Sequence, residues 1–166
     1  HAGGGAVGRA LALAGANYGR ATDCDAAAPG IGAGSTADYR RQHDALRGAP
    51  PDWPTVDWIV GNPPYSDLDE QLEMMFRVAQ RGVALLLIGQ FFAPAARDWL
   101  WESHRPDELL WLRERVAFEG PGRNGKDTDA REYAWVIWRR RRGSWNGSGQ
   151  MGRLSTSTRR LWRGLP

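Results

Sequence analysis

The residues best suited to chemistry are Asn62-Pro63-Pro64-Tyr65, which follow the β-rich run Val56-Asp57-Trp58-Ile59-Val60-Gly61. A strand that stops in Asn-Pro-Pro-aromatic gathers an amide side chain, rigid carbonyls and a ring. In α/β proteins the carboxyl ends of parallel strands are where ligands bind. The two prolines lack N–H donors and have fixed φ, so the turn offers acceptors and has little entropy left to lose. Acceptors suit a planar –NH₂ group. The Asn62 side-chain oxygen and the Pro63 carbonyl can hold its two hydrogens and leave the nitrogen lone pair free to attack, while Tyr65 stacks on the plane. With proline at ~5% of residues, such a tetrapeptide arises by chance in roughly one chain in a hundred of this length.

The elements around this turn read as alternating strand and helix. Ser66, Asp67 and Asp69 offer a cap and first-turn acids for a helix to about Gln80, with Leu68, Leu72, Met75, Phe76 and Ala79 at helical spacing. The continuous apolar run Val83 to Ile88 suits a strand covered on both faces. Residues 93 to 103 read as a helix, 109 to 118 and 133 to 138 as strands, and 119 to 130 as a polar, Gly-rich loop containing Arg123 and Lys126. Upstream, Gly3-Gly4-Gly5 opens a helix with apolar residues 7, 10, 11 and 14 on one face, and Gly15 stops it. A short strand is expected from Tyr18 to Asp23, and loops over 26 to 38 and 47 to 54. The sum is an α/β sheet closed by an antiparallel hairpin.

Composition narrows the class. A chain of 166 residues, 42% hydrophobic and 25% charged, holds one domain with a real core. The single cysteine, Cys24, excludes an internal disulfide framework and suits a reducing cytoplasm. His1, His43 and His104 lack metal-ligand spacing, so no metal is expected, and the longest apolar run is far short of a membrane span. The net charge of +3 divides unevenly. Residues 139 to 166 hold eight arginines and no acid, for +8; the remaining fourteen basic and nineteen acidic residues leave −5 on the body. From Gly143 onward the Gly/Ser/Thr/Arg composition reads as disordered or ordered only on binding.

The chain resembles the class I, S-adenosylmethionine-dependent amino-methyltransferases, whose adenine-N6 members carry Asn-Pro-Pro-Tyr. The resemblance covers residues 1 to about 138 in motif order. It implies a Rossmann-like α/β sheet with a terminal antiparallel hairpin, in which His1-Ala2-Gly3-Gly4-Gly5 is the tail of the cofactor-binding glycine loop. The family's acid-Pro pair and its central first strand would then precede His1. This divides the chain into an N-terminally incomplete catalytic domain, 1–138, and a basic tail, 139–166. Ala2, Gly3, Gly5, Asp23, Asp44 and Asn62 would contact S-adenosylmethionine, with Asp23 (or its competitor Asp25) on the ribose hydroxyls and Asp44 near the adenine. Asn62, Pro63, Pro64 and Tyr65 would be catalytic, and Tyr65 and Phe118 would sandwich the substrate base.

The expected activity is methylation of the exocyclic amino group of adenine in DNA, with the base flipped out of the duplex. Such a chain would be a small phage-type or partial enzyme, with DNA as partner and no membrane. Two alternatives stay open. The same turn would accept an RNA base or a protein glutamine amide, or the chain is a non-catalytic nucleic-acid-binding fragment. In that last case Arg139 to Arg142 with Trp145, and Arg159-Arg160 with Trp162, would supply phosphate contacts and stacking.

Overall fold

The structure, a computed structural model, describes residues 20–23, 39–42, 55–65, 67–116, 119–120, 123–124 and 130–154, with side chains for 55–65, 67–116 and 130–150. It is a mixed α/β architecture. Strands β1 (Arg20–Asp23) and β2 (Tyr39–Gln42) form a two-stranded sheet. An open five-stranded sheet has the order β3-β4-β8-β5-β9, with β3 at Val56–Gly61, β4 at Ala79–Ile88, β5 at Glu108–Leu112, β8 at Tyr133–Arg139 and β9 at Gln150–Leu154. A third, two-stranded sheet joins β6 (Glu119–Gly120) to β7 (Arg123–Asn124). The chain divides into two compact units within β4, after Val83. The residues just beyond 138 belong to the second unit.

In the first unit, β1 and β2 pair in parallel, Arg20 opposite Tyr39 and Asp23 opposite Gln42. β1 lies inside the expected strand over 18–23, whereas β2, Tyr-Arg-Arg-Gln, carries no apolar alternation and was not foreseen. β3 spans the expected residues and leads through Asn62-Pro63-Pro64-Tyr65 into helix α1 (Leu68–Val78). Leu68, Gln71, Leu72, Met75 and Phe76 form the buried stripe of α1, spaced three and four apart as the sequence pattern requires. Asp67 stands at the N-cap without a side-chain cap hydrogen bond, and the Gln71 amide closes the first turn on the Asp67 carbonyl at 3.2 Å. Asp69 and Glu70 at the start and Arg77 at the end complement the helix dipole. The helix stops two residues short of the expected Gln80, because Ala79 turns extended at ψ 132° and β4 begins at once. On the sheet, the Trp58 ring lies over Gly82; a Cβ there would sit 2.1 Å from a ring carbon, so this cross-strand contact needs glycine.

The second unit holds the remainder of β4, where Leu85, Leu86 and Leu87 are buried as the continuous apolar run predicts. After a 3₁₀ turn at Gly89–Phe92, the helix expected over 93–103 is instead a 3₁₀ turn at Ala95–Arg97 and helix α2 (Asp98–Ser103). Pro94, extended at ψ 132°, separates the pieces. β5 and β8 pair antiparallel, Leu109 opposite Val136 and Trp111 opposite Ala134, giving the expected closing hairpin. β5 ends at Leu112, six residues earlier than the strand read to 118. Trp138 is fully buried and donates its indole N–H to the His104 carbonyl at 2.7 Å. Phe92 packs edge-on or tilted against Phe91, Trp101 and Trp138, with ring centroids 5.1, 5.1 and 6.4 Å away. Among the described residues no helix is long and apolar enough to cross a membrane.

The stretch after residue 138 corrects the sequence reading most clearly. Arg139 belongs to β8, and Arg141 and Ser144 bridge a turn in which Arg142 adopts φ 52°. Trp145 is 6% exposed, and β9 runs parallel to β5 with Leu109 opposite Met151. Residues 139 to 154 are therefore part of the sheet unit. Their polar composition misled because the ladder and a buried ring, not apolar periodicity, hold them.

Candidate active site

β3 is mostly half-buried along its length and ends on the buried Gly61, so the chain reaches the turn anchored. Pro63 is buried, Pro64 exposed and Tyr65 half-buried, while Asn62 is exposed. The alternation has a simple consequence. The buried proline fixes the backbone, and the side chain before it is left toward solvent with its amide available. The Tyr65 hydroxyl donates to Asn62 Oδ1 at 3.3 Å, joining the two side chains across the turn. An amide oxygen has two lone pairs, so Oδ1 can take a second donor without losing the first.

The other predicted positions are less completely described. Asp23 ends β1, and its parallel partner Gln42 ends β2, so both strands deliver their carboxyl ends at the same level. In sequence, Asp44 follows two residues after Gln42. The Asp23 side chain is not among those described, and Ala2, Gly3, Gly5, Asp25, Asp44 and Phe118 lie outside the described residues.

The arginine cluster, by contrast, is engaged. Arg139 forms an ion pair with Glu108. Arg141 pairs with Asp107 at 2.9 Å, and the Arg139 backbone N–H donates to the other Asp107 oxygen at 2.6 Å. The Arg140 guanidinium lies 5.8 Å from the Trp145 ring centre. A buried tryptophan cannot stack on a nucleic-acid base, and a paired guanidinium is a weakened phosphate ligand. Arg139, Arg141 and Trp145 thus serve the protein's own structure, while Arg159, Arg160 and Trp162 lie outside the described residues.

Sequence reasoning missed Asp107, which is 1% exposed and organises this region. Its amide donates to the Ile137 carbonyl, and its carbonyl accepts from the Gln150 amide, both at 2.8 Å. Gly147 is held against its backbone so closely that a Cβ would fall 2.5 Å from the Asp107 nitrogen. The available signal was an acid between proline and a strand, Pro106-Asp107-Glu108, facing a basic run. No family model matches the chain, and no curated protein matches it.

Proposed function

We propose that the chain is an S-adenosylmethionine-dependent N-methyltransferase acting on the exocyclic amino group of adenine in DNA, with a Rossmann-like sheet of the class I type. The observation that carries this reading is the strand-end turn: Asn62 exposed, Pro63 buried, and Tyr65 hydrogen-bonded to Asn62 Oδ1 at 3.3 Å. The sheet arrangement supports it. A class I sheet opened at its central strand would leave a parallel pair on one side and a hairpin-terminated sheet on the other. Here β1-β2 is a parallel pair, and the larger sheet contains the antiparallel β5-β8 hairpin.

The residues fit the cofactor in type: an acid ends β1, beside a parallel strand of matching end, and a carboxylate suits two adjacent ribose hydroxyls. When bound, S-adenosylmethionine supplies an electrophilic methyl on a sulfonium, which needs no metal. The chain's own groups do the positioning. Asn62 Oδ1 and the Pro63 carbonyl accept the two amino hydrogens and hold the nitrogen lone pair toward the methyl. The Tyr65 ring stacks on the flipped base and offsets part of the lost duplex stacking. With the methyl that the bound cofactor would supply, Asn62 and Pro63 would keep the amino nitrogen's lone pair free to accept it, and the surplus amino proton would pass to water. Orientation supplies most of the rate, so no strong base is required.

The test is transfer from a tritiated methyl donor to DNA, RNA and protein fractions. Label in DNA is expected. Asn62→Ala should reduce it by at least about 100-fold, roughly 2.7 kcal/mol of transition-state stabilisation. Cofactor affinity measured by calorimetry should stay nearly unchanged. Retained methylation in that variant, or label confined to RNA or protein, would overturn the assignment.

A further inference from the structure

Arg141 and Ser144 close a two-residue turn on each other. The Arg141 N–H donates to the Ser144 carbonyl at 2.8 Å, and the Ser144 N–H donates to the Arg141 carbonyl at 2.9 Å. Between them Arg142 and Gly143 stand at φ 52° and φ 84°. Two positive φ values in succession mark a type I′ turn, whose first place normally goes to Asn, Asp or Gly. A long side chain there carries a backbone cost. Nothing in the fold offsets it: the Arg142 side chain is exposed and makes no ion pair, hydrogen bond or ring contact among the described residues. The turn also projects, since a Cβ on Gly143 would meet no atom within 4 Å. Its neighbours are held differently. Arg139 pairs with Glu108, Arg141 pairs with Asp107, and the Arg140 guanidinium faces the Trp145 ring. Those contacts fix the base of the turn, and Arg142 is the group they present.

We propose that Arg142 is a duplex-DNA contact of the protein, its guanidinium set on backbone phosphate by a turn that backbone hydrogen bonds hold in shape. Charge favours a polyanion. Residues 139 to 150 contain four arginines and no acid, while the body before residue 139 carries −5. The two acids in contact with these arginines are already engaged: Asp107 is 1% exposed, and Glu108 is paired with Arg139. A guanidinium can give two N–H groups to one phosphate at once, and a fixed turn keeps that fork aimed. The exposed residues beside it, Gly143, Ser144 and Asn146, carry no apolar side chain for a lipid surface, and hydroxyl and amide groups are phosphate partners.

This inference rests on DNA being the substrate, and the experiment separates the two. Binding of the full chain to a fluorescent DNA duplex is followed by anisotropy across a salt series, for the wild type, Arg142→Gly, Arg142→Glu, Arg142→Lys and the surface control Arg77→Ala. Arg142→Gly should bind about three- to tenfold more weakly, with the log–log salt slope reduced by about 0.9, the share of one phosphate contact. Arg142→Glu should lose at least about tenfold, and Arg77→Ala should stay within about twofold of the wild type. Arg142→Lys should keep the slope and recover only part of the affinity. Glycine takes φ 52° freely, so Arg142→Gly should melt no lower than the wild type, and at saturating duplex it should transfer methyl at the same rate. No duplex binding by the wild type, unchanged affinity and slope in Arg142→Gly and Arg142→Glu, or an equal loss in Arg77→Ala would overturn the contact. Tighter Arg142-dependent binding to an RNA duplex of the same sequence would overturn it as well. Arg142-dependent binding of duplex DNA without methyl transfer would instead sink the methyltransferase reading and leave the contact standing. Methylation of duplex DNA with binding indifferent to Arg142 would do the reverse.

Discussion

Two regions rich in functional-looking residues behave in opposite ways. Asn62-Pro63-Pro64-Tyr65 is anchored by a buried Gly61 and Pro63 yet leaves Asn62 exposed. Residues 139 to 145 have the composition of a nucleic-acid-binding tail, yet their ring is buried and two of their arginines sit in ion pairs. The difference lies in what holds each side chain. Proline fixes backbone without consuming side-chain chemistry, whereas arginine and tryptophan are themselves the adhesive groups of the second region. A polar residue advertises function only when something else does the holding.

If that contrast is right, substitutions in the turn should remove activity without stability, and those in the C-terminal region stability without activity per folded molecule. Trp145→Ala should be the most destabilising, by about 3–4 kcal/mol in a denaturant titration, since it empties a nearly buried ring site. A loss below about 1 kcal/mol would mean the ring is held only at the surface. Asp107→Ala should follow at about 2–3 kcal/mol, mostly from the orphaned Arg139 N–H, because Arg141 is two-thirds exposed and its pairing is screened by water. Both variants should keep methyl transfer per folded molecule.

Two substitutions near Asn62 in sequence, one in α1 and one at the end of the turn, should have smaller effects. Gln71 is 2% exposed on the buried face of α1, and its Oε1 has no hydrogen-bond partner. Gln71→Leu should raise stability by about 1 kcal/mol by removing that orphan; a rise accompanied by loss of methyl transfer would make Gln71 a functional group instead. Tyr65→Phe keeps the stacking ring and removes only the 3.3 Å bond to Asn62. It should lower kcat/KM less than about tenfold, the share expected of one long, exposed hydrogen bond, with stability unchanged. A hundredfold loss would show that the hydroxyl does more than orient the amide.

Legibility in the sequence followed the physical source of each element. β3, α1 and the apolar half of β4 were readable because burial writes itself as period and run: Leu68, Leu72, Met75 and Phe76 in the helix, Leu85 to Leu87 in the strand. β2 and β9 were not. Tyr39-Arg40-Arg41-Gln42 and Gln150-Met151-Gly152-Arg153-Leu154 are strands through their neighbours, and single-sequence patterns carry no trace of a ladder partner 19 or 42 positions distant. At the site, the turn's type and place were legible from Pro63 and Pro64, since proline acts locally. The Asp107 network was hidden because it joins residues more than thirty apart, and a lone acid before a strand looks like any surface carboxylate.

The parallel β5-β9 pairing bears on how the protein is made. Leu112 meets Leu154, roughly forty residues later. At ribosomal speed the outer edge of β5 waits about 2–8 s for its partner, while β8 can already close the other side. During that interval a row of unpaired backbone groups, Glu108 to Leu112, is open to any passing strand. Slow translation through residues 140 to 150 would lengthen the exposure, and yield of intact protein in the cell should track the speed of that stretch.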